Sequence, residues 1–74
     1  MSILPRISGR EVVAALMKVG YARDRQKSSH IVLRQAVHPH RRIVVPDHAE
    51  GAKGTLRAII KQTGLTVEEF NELL

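Results

Sequence analysis

Apolar residues recur along this chain with two different periods, and the changes of period divide it into elements. Ser8 followed three residues later by Glu11 has the spacing of a helix capping box, and Val12, Val13, Leu16, Met17 and Val19 then fall at helical intervals until Gly20. This predicts a core-facing helix over about 9–19. Beyond Gly20 the alternation is two-fold and predicts strands over 21–26, 30–36 and 42–46. Lys27-Ser28-Ser29 is the first turn and Val37-His38-Pro39-His40-Arg41 the second. Ile31 and Leu33 share one face of the middle strand, with His30, Val32 and Arg34 on the other; Ile43 and Val45 likewise oppose Arg42, Val44 and Pro46.

Strands so short and so close in sequence form an antiparallel meander most economically, with one face packed on helices and the other open to water. His30 and Arg34 belong to the open face. Whether Arg23 and Arg25, or Ala22, Asp24 and Gln26, join them depends on a register that periodicity does not determine. A polar loop over 47–53, holding His48 and Gly51, leads to a second helix over about 54–63 with Leu56, Ile59 and Ile60 as its buried stripe and Gly64 as its stop. Thr66 and Glu69 repeat the capping-box spacing before Val67, Phe70, Leu73 and Leu74, which predicts a short closing helix. The expected fold class is α+β, with the order helix, three-stranded antiparallel sheet, helix, short C-terminal helix, in one domain over 1–74.

Composition adds a partner class. The 43% hydrophobic content supports a globular fold, but only Tyr21 and Phe70 are aromatic, so small aliphatic residues must fill a thin core. Twelve Lys and Arg against seven Asp and Glu give a net charge of +5, and the pI of about 10.5 lies in the range of nucleic-acid-binding domains. A polyanion is the natural partner. A membrane surface is not expected, since no segment combines a basic face with large apolar anchors. The lack of cysteine excludes disulfides and thiolate zinc sites, and the Met1 to Arg6 start has no long apolar stretch of a signal peptide, so a cytoplasmic location is expected.

Against that background one imidazole stands out. His30 sits in a run of cations, Arg25-Gln26-Lys27-Ser28-Ser29-His30, with Arg34 following. Metal-free RNA cleavage uses the ribose 2′-hydroxyl as internal nucleophile, so the protein must supply a proton acceptor beside that hydroxyl and positive charge beside the phosphate. His30 with Arg25, Lys27 or Arg34 meets both needs. The competing interpretation is that His30 merely begins a strand and Arg34 solvates a sheet face. A three-imidazole zinc site from His38, His40 and His48 is the weaker alternative to a solvated turn around Pro39, because no carboxylate or cysteine anchors it. Lys53, Arg57 and Lys61 either extend a phosphate-binding surface or are ordinary solvated helix positions. Tyr21 is the one aromatic expected beside the basic turn to stack on a base, so phosphate and 2′-hydroxyl contacts should dominate.

A longer pattern decides between these. Ser8-Gly9-Arg10-Glu11-Val12, Gly20-Tyr21, Arg25-Gln26-Lys27, Ser29-His30, Val45-Pro46 with His48, Gly54-Thr55-Leu56-Arg57, Ile60-Lys61-Gln62, and Gly64-Leu65-Thr66 with Glu68-Glu69-Phe70 run in order over nearly the full length. Together they resemble the HicA (YcfA-like) family of messenger-RNA-cleaving toxins. The resemblance implies a small double-stranded-RNA-binding-like fold, a cofactor-free and metal-independent endoribonuclease that blocks translation, a toxin expected to be monomeric when free, and a HicB-like antitoxin that covers its active face. It puts the catalytic histidine at His30, near the first turn on an exposed sheet edge; the cations and turn residues around it, Arg25, Lys27, Ser28, Ser29 and Arg34, together with His48, are the candidate substrate contacts. His48 matches the family's Pro-x-His position and is equally readable as a structural loop residue. The family reads Gly-Ser-His or Gly-Gly-His where this chain has Ser28-Ser29-His30, so Ser28 stands in place of a glycine. Two rival functions follow: an RNA-binding module without catalysis, and a degenerate toxin retained as the antitoxin's partner.

Overall fold

The computed structural model describes residues 3–48 and 53–74. The element order is α1 (Gly9–Met17), β1 (Tyr21–Lys27), β2 (His30–Gln35), β3 (Arg42–Pro46), α2 (Lys53–Thr63) and α3 (Val67–Asn71), the α+β layout expected from the pattern. The three strands form one antiparallel sheet in the order β1-β2-β3. His30 therefore begins the central strand, as the meander predicted, next to the first turn at one end of the sheet. Gly51 and the loop around it lie outside the described residues.

Both capping boxes form. Ser8 Oγ accepts from the Glu11 N–H at 3.1 Å while Glu11 accepts from the Ser8 N–H at 3.1 Å, and Thr66 and Glu69 do the same at 3.0 and 2.9 Å. Each box satisfies two helix-end donors and stabilises its helix by about 1 kcal/mol. α1 ends at Met17, two residues short of the expected limit, and the chain turns through Gly20 at φ +98°. Val19 thus leaves the helical stripe, and Met17 lies beside Arg23 and Gln26 of β1, where no element covers it among the described residues. Both are exposed, and Ala15 takes the buried position instead.

The core lies between one face of the sheet and the helices. Ile31 and Leu33 of β2, Ile43 and Val45 of β3, and Tyr21 of β1 meet Val12, Val13 and Leu16 of α1, Leu56, Ile59 and Ile60 of α2, and Phe70 of α3. Leu4, ahead of α1, joins them, and its segment is tied to the C-terminus by Asn71 Nδ2 donating to the Ile3 carbonyl at 3.2 Å. Gly9 is where α1 crosses closest to the sheet: a Cβ there would collide with the carbonyl oxygen of Pro46, and the Gly9 N–H donates to the His48 carbonyl at 2.9 Å. Only a residue without a side chain permits that approach.

Candidate active site

Register settles the question that periodicity left open. Between β1 and β2 the partners are Lys27 with His30, Gln26 with Ile31, Arg25 with Val32, Arg23 with Leu33, Ala22 with Arg34 and Tyr21 with Gln35, with a bulge between Arg23 and Arg25. Asp24 is the extra residue. Directly opposed residues share a face, so Arg25, Lys27 and Ala22 join the open face, while Arg23 and Gln26 lie on the helix side. Neither of the two sets anticipated from alternation moves as a block.

With β3 added, the open face reads as three rungs. Lys27, His30 and Pro46 form the one at the first turn, Arg25, Val32 and Val44 the next, and Ala22, Arg34 and Arg42 the last. Rungs lie two residues apart, about 6.7 Å along the strands. The cations and His30 are exposed, and no carboxylate occupies these registered positions. Arg42 was not among the residues singled out from sequence, although its alternation with Ile43 and Val45 already assigned it to this face.

The first turn is a two-residue hairpin loop, with Ser28 at φ +57° and no positive φ at Ser29. Positive φ at the first central residue alone is the arrangement of a type II′ turn, which favours glycine there. Serine in that conformation costs on the order of 1 kcal/mol. Beside the turn, the Asp47 N–H donates to the Ser29 carbonyl at 2.6 Å, which clamps the loop to the end of β3.

Asp47 does more than clamp. Its carboxylate accepts from Arg10 Nε at 3.2 Å and from Gln26 Nε2 at 3.2 Å, so one side chain joins α1, β1 and the segment after β3. The Arg10 hydrogen bond, first, and then the charges of Arg10 and Arg23 and the Gln26 hydrogen bond hold its carboxyl below the usual carboxylate range, against a partial burial that acts the other way. Sequence reading missed this residue because its partners stand 37 and 21 positions away. His48 follows directly; its side chain is exposed and its carbonyl receives the Gly9 N–H.

Other candidates separate from His30. Tyr21 is buried on the helix-covered face, its hydroxyl without a partner among the described residues and its phenol raised by burial against the opposing charge of Arg41, so it offers no stacking surface beside the turn. Arg57 and Lys61 are exposed on α2, which packs behind the sheet through Leu56, Ile59 and Ile60, away from the open face. The side chain of Lys53 lies outside the described residues. His38 and His40 meet edge to face at 6.3 Å in the connection between β2 and β3, with His40 Nδ1 3.1 Å from the Gln35 carbonyl. β3 separates them from His48, and among the described residues no three His, Cys, Asp or Glu side chains group as metal ligands. Among those residues no helix is long and apolar enough to cross a membrane.

Comparison with known proteins adds one finding. The model of a family described as the HicA toxin of bacterial toxin–antitoxin systems matches residues 9–65, from the first residue of α1 to the residue before Thr66. No curated protein matches the chain.

Proposed function

The chain belongs to the HicA toxin family of bacterial toxin–antitoxin systems, and on that premise we propose that it is an endoribonuclease that cleaves messenger RNA without a metal and so blocks translation. The observation that carries this reading is the first rung, where His30 stands on an open sheet face directly opposite Lys27, with Arg25 one rung away. In the proposed reaction His30 accepts the proton of a ribose 2′-hydroxyl as its oxygen attacks the adjacent phosphorus. The bond from phosphorus to the 5′-oxygen breaks, leaving a 2′,3′-cyclic phosphate and a 5′-hydroxyl. Lys27 and Arg25 stabilise the charge that builds on the phosphoryl oxygens, and the departing 5′-oxygen takes its proton from Lys27 or water. Ser28 and Ser29 shape the backbone beside the scissile phosphate, and His48 flanks it from the end of β3. A cytoplasmic location and a HicB-like antitoxin covering the open face complete the proposal.

The test is incubation of the purified chain with labelled RNA in excess chelator. Cleavage is expected to persist, and His30→Ala to reduce it by about 10²–10⁴-fold with the fold and RNA affinity retained. Binding without cleavage by the unmodified chain overturns the enzyme reading in favour of an RNA-binding module.

A further inference from the structure

The third rung has no role in the chemistry just described, and its arrangement is costly. Arg34 and Arg42 lie directly opposite each other on the open face, where like charges destabilise a strand pair. Among the described residues neither makes a hydrogen bond or an ion pair with another side chain. Next to them the bulge in β1 opens a cavity of about 370 Å³, to which Arg34, Arg23 and His40 contribute cationic or proton-bearing groups and Asp24 the one carboxylate. Between this rung and His30, Val32 and its cross-strand partner Val44 make a small apolar platform, with Val44 49% exposed.

Resting on the ribonuclease reading, we infer that Arg34 and Arg42 form a second phosphate subsite, which holds the RNA backbone about 13 Å from His30 while sugars or bases of the intervening nucleotides lie over Val32 and Val44. The strand then runs along β2, from the first turn towards the connection between β2 and β3. The spacing corresponds to about four nucleotides at a stacked rise of about 3.4 Å, and to fewer in an extended strand. A phosphate between the two guanidinium groups relieves their repulsion on binding, which gives the opposed pair a function that its effect on stability does not. Asp24 at the rim weakens the subsite and keeps it from retaining anions indiscriminately.

Binding of single-stranded oligonucleotides of increasing length to the full chain carrying His30→Ala tests this. Affinity is expected to step up by about tenfold once the strand reaches the third rung, and Arg34→Gln or Arg42→Gln to abolish the step and lower the slope of log affinity against log salt by about 0.7. Asp24→Asn should tighten binding of the longer strands. Arg42→Gln should also raise the melting temperature at low salt by a few degrees, whereas a structural arginine would lower it. A length step that survives in both arginine variants overturns the subsite. So does a loss of affinity for an antitoxin with RNA affinity unchanged, which would assign this rung to a protein partner. Absence of any RNA binding or cleavage by the unmodified chain instead overturns the ribonuclease reading, and the subsite with it.

Discussion

On the covered face of the sheet, Ile31, Leu33, Ile43 and Val45 retain at most 1% of their surface; on the open face of the same strands, Val44 retains 49% and every cation is exposed. The two faces draw on alternate residues of one short segment, so neighbours in sequence answer to different measurements. Stability is read from odd positions of β2 and binding from even ones. A 74-residue chain has little surplus to spend, and this division lets the open face carry unpaired charge without loosening the core.

Leu33→Ala is the sharpest way to test that division. It should cost about 2–5 kcal/mol, enough to lower the denaturant midpoint severely, whereas Val32→Ala one residue away should cost about 1 kcal/mol or less. Equal losses would break the comparison. Ser28→Gly acts between the faces, at the turn that joins β1 to β2. Removing a side chain from φ +57° should stabilise the chain by about 1 kcal/mol or less, and an accompanying rise in cleavage would mark Ser28 as the cause of weakened activity. If stability rises while cleavage does not, the turn's strain and its chemistry are separate.

The smallest expected effect is at Asp47, which ties the covered side to the first turn. A carboxyl held below its ordinary range contributes stability above the unfolded carboxylate range and loses it as pH falls through the folded value. Asp47→Asn should therefore lower the melting temperature slightly at neutral pH and flatten its fall on the acid side. Parallel acid limbs for the two proteins would show that the Arg10 and Gln26 contacts contribute nothing measurable in solution.

Local rules sufficed for much of the fold. Capping spacing located the starts of α1 and α3, and alternation assigned the faces of β2 and β3, because each signal is written within a few residues. Where a face depended on long-range pairing, the sequence was mute. Tyr21, Arg25 and Lys27 have the same parity, yet Tyr21 is buried and the two cations are not; nothing local announces the bulge that separates them. Met17 continued a helical stripe, but a stripe is buried only as far as another element lies over it. At the candidate site, His30, Arg25, Lys27 and Arg34 were identified from type and pattern. Arg42 needed the register, and Asp47 needed the fold.

The bulge also bears on how this chain tolerates changes in length. Asp24 is surplus to the pairing of β1, so removing it leaves Tyr21, Arg23 and Gln26 facing the helices and Ala22, Arg25 and Lys27 facing outward, as they do now. Removing Gln26 instead, with Lys27 held opposite His30, turns Arg25 towards the helices and brings Asp24 to the open face. β1 thus has one position where a deletion is an edit to the rim of a cavity, set in a strand where the same edit elsewhere rewrites which residues reach the solvent.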